Sequence, residues 1–369
     1  MREERSLNHA ITRAFFEALQ SGLWSRKPDP ALFKPLTSDD WSKLYKMSAL
    51  QTVEGVVCDG LQQLPAEALP PKGFLMKWIA RLQQIEERNA WMNGIIADQV
   101  TFFTQHGLHP ILQKGQGVAQ FYDRPSSRCC GDIDWYFGGK DEYKKAALLM
   151  QQHGQEFKFG HGYSSSYKWK GCEVEHHQAL IELRNPLVQR FLTNLSRRTA
   201  YAPDQVIFQG VPTSVPHPFQ NIILINAHIL KHMVVYGVGV RQLCDAARLY
   251  DTVGQQLDPV TLKDTYRKLG MLKWIYSLHD VLVNYIGLDR GKLPFDHQPA
   301  DSRAEWMMED ILRGGNFGMY DTDDEKKVGH LKKSERVRKF FHRSSSMFRL
   351  APGETFWSPF TIYFSKIHR

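Results

Sequence analysis

An acidic pair on a predicted strand, Asp132 and Asp134, constrains this chain more than any other feature. The strand is predicted over residues 132–137, where Gly131 is followed by Asp-Ile-Asp-Trp-Tyr-Phe. Because side chains alternate between the faces of a strand, both carboxylates point to one face and Ile133 points to the other. Like charges on one face repel unless a cation or an exposed edge relieves them. The pair therefore predicts a site for one or two hard divalent cations, and its oxygen ligands suit Mg²⁺ or Mn²⁺ better than zinc.

A glycine-containing turn, Lys114-Gly115-Gln116-Gly117, lies upstream of the acidic pair. It follows a strand predicted over residues 108–113 and opens a short helix predicted over residues 117–122. Free backbone amides at a helix N-terminus bind anions, and the Lys114 ammonium adds a point charge. The turn therefore predicts an anion site.

The turn and the acidic pair together resemble a known family of proteins. The matching residues are Lys114-Gly115, Ala119, Tyr122, Arg128 and Gly131-Asp132-Ile133-Asp134. They are similar to bacterial proteins called uncharacterised nucleotidyltransferases, within the superfamily that shares the fold of the DNA polymerase beta catalytic domain. The resemblance spans roughly residues 40–290. It implies an α+β fold, with a polymerase-beta-like mixed sheet packed between N-terminal and C-terminal helical lobes.

The resemblance also implies the residues that carry the chemistry. The implied catalytic and metal-binding carboxylates are Asp132, Asp134 and Glu175. The implied nucleotide-binding residues are Lys114, Gly115, Gln116 and Arg128, and the implied cleft residues are His177, His228, Arg241 and Asp245.

Some of these assignments have alternatives. Glu175 lies in Val174-Glu175-His176-His177, and Glu173 competes with it for the role of third carboxylate. Antiparallel pairing is expected to bring Glu175 to the strand that carries the acidic pair. Arg128 either contacts the triphosphate or braces the acidic pair.

Two histidines four residues apart, His228 and His232, lie on one face of a predicted helix. This spacing occurs in zinc-binding helices, but no Glu follows His228 and no third ligand is evident nearby. A place near the cleft is therefore favoured over a zinc site.

The implied activity is the metal-dependent transfer of a nucleoside monophosphate from a nucleoside triphosphate, such as ATP, to a hydroxyl acceptor. The acceptor is a small molecule, a protein or a tRNA, and Mg²⁺ or Mn²⁺ is the expected cofactor. The superfamily turn usually reads Gly-Gly or Gly-Ser, whereas this chain has Gly115-Gln116. That difference favours one alternative, an inactive nucleotide-binding or scaffold module of a biosynthetic operon. The other alternative is a toxin-like nucleotidyltransferase that acts on tRNA or protein.

Composition sets the broad class of protein. The 369 residues carry a net charge of +8, with 42% hydrophobic and 23% charged residues, as in ordinary globular proteins. Five cysteines without a Cys-x-x-Cys pair favour a reducing cytoplasm. No signal peptide and no membrane-spanning segment are predicted.

Four segments are predicted from the change in periodicity along the chain. They are an N-terminal helical lobe (1–106), a nucleotidyltransferase sheet domain (107–215), a C-terminal helical lobe (216–312) and a basic and aromatic tail (313–369). The tail contains Lys326, Lys327, Lys332 and Lys333, followed by Phe356 and Phe360. This composition is compatible with weak contact with nucleic acid or a membrane surface, but a solvated helix followed by a segment that packs back onto the fold is favoured.

Overall fold

Helices form where apolar residues recur at three- and four-residue spacing. The computed structural model describes residues 9–160, 164–197, 201–296, 303–316 and 333–364. Within these residues the α-helices are α1 (Ala10–Leu23), α2 (Ser38–Leu50), α3 (Glu54–Leu61), α4 (Lys72–Gln105), α5 (Gly115–Ala119), α6 (Lys140–His153), α7 (Pro186–Ser196), α8 (Pro218–Val235), α9 (Val240–Val253), α10 (Pro259–Lys268), α11 (Leu272–Val281), α12 (Ala304–Gly314), α13 (Lys333–Leu350) and α14 (Pro352–Phe364).

Local signals explain several helix ends. The Thr37 hydroxyl accepts a hydrogen bond from the backbone N–H of Asp40, and the Asp40 carboxylate accepts one from the backbone N–H of Thr37. This capping box starts α2. Helix α4 ends just before Gly107, whose φ of +69° is left-handed and therefore favours glycine.

In the part of the chain that the structure describes, seven strands form one mixed sheet. They are β1 (Ile111–Gln113), β2 (Ile133–Tyr136), β3 (Gln155–Phe159), β4 (Ser164–Trp169), β5 (Cys172–His177), β6 (Asp204–Phe208) and β7 (Val211–Val215). Their order across the sheet is β3-β4-β5-β2-β1-β7-β6. The described residues thus form a helix-rich chain with one mixed sheet, which agrees with the α+β class.

The direction of β5 differs from the sequence prediction. β5 pairs with β2 in parallel, and the predicted antiparallel pairing is therefore wrong. Helix α6 carries the chain from β2 to β3 at the sheet edge, and two antiparallel steps, β3 to β4 and β4 to β5, follow. Two reversals leave β5 in the direction of β3. Strands β2, β3 and β5 therefore all run in the same direction. Parallel strands need a crossover connection, and α6 provides the one between β2 and β3.

The chain divides into two compact units, each assembled from separated segments. The first contains Met1–Glu86, Phe121–Cys129 and His232–Pro352, and the second contains Glu87–Gln120, Cys130–Lys231 and Gly353–Arg369. The first is helical in its described residues, and we call it the helical unit. The second holds the sheet, and we call it the sheet unit. The four-segment division of the sequence stays a prediction.

One face of the sheet is covered by a hydrophobic core. Ile96 and Phe103 of α4 pack with Ile133 and Trp135 of β2 and with Val174 of β5 in this core. Because side chains alternate, Asp134 and Tyr136 of β2 and Glu175 and His177 of β5 lie on the other face. The core thus fixes which face carries the polar residues.

Helix α14 is attached to the sheet unit by a buried carboxylate. The buried carboxylate of Glu354 accepts hydrogen bonds from the backbone N–H groups of Arg184 and Asn185. Lys326, Lys327 and Lys332 of the predicted basic tail lie outside the described residues. Among the described helices, none has both the length and the apolar character needed to cross a membrane.

Candidate active site

Parallel pairing of β2 and β5 brings three potential metal ligands together in the sheet unit. In the register of the two strands, Asp134 lies opposite Glu175 and Tyr136 lies opposite His177. One ligand atom from each of Asp134, Glu175 and His177 lies within 4.8 Å of the other two. We call these three residues the acidic cluster. It is the only such group of three among the residues that the structure describes.

Short polar contacts tie the acidic cluster to Lys114. The Oδ1 atom of Asp134 lies 2.7 Å from Nε2 of His177 and 2.9 Å from Nζ of Lys114. The Nε2 atom of His177 also lies 3.7 Å from Oε2 of Glu175. Asp134 is buried, while the Glu175 side chain is 44% exposed and thus gives the cluster a side that solvent reaches.

The charges around the cluster shift the pKa values of its two carboxylates in opposite directions. Burial alone would raise the pKa of Asp134, but the Lys114 ammonium and the hydrogen bond to His177 outweigh it and hold that pKa well below its usual range. Burial and the negative charge of Asp134 raise the pKa of Glu175. Asp134 is therefore a permanent anion near neutral pH, and Glu175 is the better proton acceptor of the two.

The turn before α5 positions Lys114 through unusual backbone angles. Lys114 has a φ of +46° and Gly115 a φ of +39°, which is a left-handed conformation that costs energy for a lysine. Gln113, the residue before Lys114, lies opposite Asp134 in the pairing of β1 and β2. The turn therefore begins directly beside the acidic cluster.

Two residues that the sequence did not single out extend this network. Nζ of Lys231 lies 2.7 Å from Oε2 of Glu182, and Oε1 of Glu182 lies 4.0 Å from Nδ1 of His177. Lys231 directly precedes His232 of the predicted histidine pair, but its pairing with Glu182, 49 residues away, left no local signal. A small pocket of about 20 Å³ lies here, lined among others by Lys114, His177, Glu182, His228 and Lys231.

The remaining predicted residues of the sheet unit have other positions. Asp132 is half-buried just before β2 and is not one of the three clustered ligands, although its charge raises the pKa of Lys114 and of Glu175. Gln116 is 2% exposed and its amide donates to Oδ1 of Asn89, so its side chain lies in the interior. His228 lines the small pocket.

Three predicted residues, Arg128, Arg241 and Asp245, belong to the helical unit. Nε and Nη2 of Arg128 donate to the two carboxylate oxygens of Asp245 at 2.7 and 2.6 Å. The Tyr122 hydroxyl donates to the same carboxylate, and Nη1 of Arg241 donates to the carbonyl oxygen of Cys129. Arg128 and Asp245 are both buried, and the ion pair between them holds these residues in place within the helical unit.

The chemistry of the donor set fits a divalent metal ion. Carboxylates suit Mg²⁺ and Mn²⁺, whereas an imidazole nitrogen suits the later transition metals. Two carboxylates with one imidazole are thus a donor set that a divalent metal ion can take. The residues that would hold it are Asp134, Glu175 and His177.

The sheet unit thus carries a potential metal site beside a lysine-containing turn. The chain belongs to the uncharacterised nucleotidyltransferase family, whose model matches residues 37–284, more than half of its length. The family that the sequence resembles is thereby confirmed. Comparison with curated proteins and with solved structures gave no significant match.

Proposed function

We propose that this protein is a metal-dependent nucleotidyltransferase that moves a nucleoside monophosphate from a nucleoside triphosphate to a hydroxyl acceptor. The observation that carries the proposal is the acidic cluster, whose ligand atoms lie within 4.8 Å of one another while Lys114 contacts Asp134. Family membership supports the transferase class. The likeness to the polymerase-beta fold is part of this proposal, because the glycine turn, the short helix and the acidic strand follow in that order.

Each residue has a role in the proposed reaction. Asp134, Glu175 and His177 hold the metal ion, which when bound stabilises charge on the phosphates and lowers the pKa of the attacking hydroxyl. Asp132 adds negative charge beside them. Lys114 and the Gly115-Gln116 backbone hold phosphate, and Arg128 remains a predicted triphosphate contact.

The proton and the leaving group have defined destinations. The acceptor oxygen forms a bond to the α-phosphorus, the bond from that phosphorus to the bridging oxygen breaks, and pyrophosphate leaves. Glu175 accepts the proton of the acceptor hydroxyl, because its side chain is 44% exposed and forms the side of the cluster that solvent and an acceptor can reach.

A second candidate is a nucleotide-binding module without catalysis. The Lys114 ammonium lies 2.9 Å from Oδ1 of Asp134 and thus places a positive charge where a metal ion would bind. A metal ion must compete with this charge. The Gly115-Gln116 turn, in which the Gln116 side chain is buried, also departs from the superfamily pattern.

The test is the transfer of label from α-labelled nucleoside triphosphates in the presence of Mn²⁺ or Mg²⁺ and cell extract. We expect Glu175→Gln to lower transfer by at least a hundredfold, because it removes both a ligand and the base. Glu173→Gln is the matched control, since Glu173 lies two residues earlier on β5, its side chain is 59% exposed, and it is outside the acidic cluster.

The result separates the candidates. Label on a small molecule, on protein or on tRNA identifies the acceptor, and label on tRNA or protein favours the toxin-like alternative. Tight nucleotide binding without any transfer favours the binding module. Equal loss in Glu173→Gln and Glu175→Gln would contradict the assigned roles.

A further inference from the structure

A second cleft lies in the sheet unit beyond the end of β2. It has a volume of about 290 Å³ and is bounded by Tyr136, the start of α6, the segment 178–181 and one face of α7. Its residues were not singled out by the sequence, and the reaction proposed above does not use them. The cleft is large enough for a small ligand, near the lower end of the range for small-molecule sites.

The cleft adjoins the acidic cluster. Tyr136 lies on the same face of β2 as Asp134, roughly 6.6 Å further along the strand. Tyr136 also lies opposite His177 in the strand register. Ala179 and Leu180 line both this cleft and the small pocket that contains Lys114 and His177. A ligand in the cleft would therefore lie beside the proposed reaction centre.

Helix α7 presents a polar face to the cleft. Gln189, Thr193 and Ser196 line it and share one helix face, while Leu192 and Leu195 are buried. The hydroxyls of Thr193 and Ser196 donate to the backbone oxygens of residues 189 and 192, at 2.9 Å each. Their oxygens are then acceptors, which suits hydroxyl groups of a ligand. The side-chain amides of Gln178 and Gln189 add donors and acceptors.

Two cations, Lys140 and Arg197, line the same cleft. A Cβ atom at Gly139 would lie 3.2 Å from Nη2 of Arg197, so the guanidinium rests against the turn before α6. Neither cation forms an ion pair with a described residue, and no carboxylate is among the described residues that line the cleft. These cations favour an anionic group in the ligand.

We propose that this cleft binds the acceptor, and that the acceptor is a small polyhydroxylated molecule with one anionic group, such as a sugar phosphate or a sugar acid. The acceptor role rests on the proposed nucleotidyl transfer, whereas the binding itself does not. Arg197 and Lys140 hold the anionic group, and the polar face of α7 holds the hydroxyls. One hydroxyl oxygen then attacks the α-phosphorus, pyrophosphate leaves, and Glu175 takes the proton.

The test is calorimetric binding to the full chain without nucleotide or metal, using a panel of probes. The panel contains hexose phosphates, inositol phosphate and hexuronic acids, with the neutral hexose and inorganic phosphate as comparisons. We expect at least one anionic sugar to bind tenfold or more tightly than either comparison. The phosphate and carboxylate probes decide which anionic group the site prefers.

Two arginines of the α7 region provide a matched pair of variants. Arg197→Gln should weaken binding at least tenfold, whereas Arg190→Gln, on the exposed side of α7, should leave it unchanged. Circular dichroism checks that both variants fold. Lack of saturable binding by every probe, or equal effects of the two variants, would overturn the proposal. Label transferred only to tRNA or protein would overturn the acceptor assignment while leaving nucleotidyl transfer intact. Binding without transfer would support the site and count against the proposed reaction.

Discussion

Asp134 shows how one buried charge organises the site. An isolated carboxylate inside a protein is costly, and Asp134 is stabilised by contacts with Lys114 and His177 at 2.9 and 2.7 Å. The same two contacts draw the turn before α5 and the end of β5 to the acidic strand. A residue that the sequence predicts as a metal ligand therefore also holds its surroundings together.

The pH dependence of folding should report this pairing. Because the pKa of Asp134 is lowered in the folded protein, its contribution to stability is present above the ordinary aspartate pKa of about 3.9 and is lost as the pH falls below it. Asp134→Asn leaves Lys114 without this partner and should cost about 3 kcal/mol of unfolding free energy at pH 7.

Denaturant unfolding between pH 7 and pH 3 measures the effect. The difference between the wild type and Asp134→Asn should shrink at the acid end. Asp141→Asn, an exposed change at the start of α6, should show no such trend. A difference that stays constant over this range would mean that Asp134 is not held ionised by its partners.

Glycines let two helices of the helical unit come into backbone contact. A Cβ atom at Gly60 of α3 would lie 1.9 Å from the carbonyl oxygen of Ala18 in α1, and one at Gly22 of α1 would lie 1.8 Å from that of Val56 in α3. Ile11, Phe15 and Leu19 of α1 and Val57 and Leu61 of α3 are buried at helical spacing, but that periodicity did not reveal this close approach.

Gly60→Ala should therefore lower the unfolding free energy by about 3 kcal/mol, because the methyl group forces α1 and α3 apart. Gly73→Ala is the matched control in the first turn of α4. A Cβ there meets nothing within 4 Å, and alanine should be neutral or stabilise by up to about 1 kcal/mol. Denaturation midpoints compare the two, and equal midpoints would contradict the close packing.

The two compact units interleave along the chain, since each draws on three separated segments. The final segment belongs to the sheet unit. There the Glu354 carboxylate of α14 accepts hydrogen bonds from the backbone N–H groups of Arg184 and Asn185, just before α7. The favoured prediction for the tail was a solvated helix followed by a segment that packs back onto the fold, and α14 agrees with the second part. The first part is wrong at Arg343 of α13, which is buried and forms an ion pair with Asp310. The basic residues up to position 332 lie outside the described part of the chain, so contact with nucleic acid or a membrane surface stays a prediction.

Removing the Glu354 carboxylate should loosen this attachment. Glu354→Ala leaves two backbone donors without their acceptor and should cost about 1–3 kcal/mol. Amide hydrogen exchange at Arg184 and Asn185 should become faster, because their backbone N–H groups lose the hydrogen bonds that they donate to Glu354. Glu173→Ala, a change of an exposed glutamate in the same unit, should leave their exchange unchanged. Unchanged exchange in Glu354→Ala would show that α14 is held by other contacts.

The sequence alone determined the features that depend on short stretches of chain. The capping box at Thr37, the helical periodicity, the strand that carries Asp134 and the Lys114-Gly115 turn each depend on neighbouring residues. The motif around Glu175 and His177 was recognised through its resemblance to a family, and the chain does belong to that family.

Only the tertiary structure decided how these pieces combine. A strand pattern has the same period in either direction, so the parallel pairing of β2 with β5 followed from the crossover by α6 and the two antiparallel steps after it. That pairing selected Asp134, Glu175 and His177 as the cluster. Other long-range contacts joined Lys231 to Glu182 and formed the cleft beside Tyr136. Contacts between residues far apart in the chain leave no local sequence pattern. The residues next to each partner in the sequence reflect the strand or helix that it belongs to, and they carry no information about the distant partner.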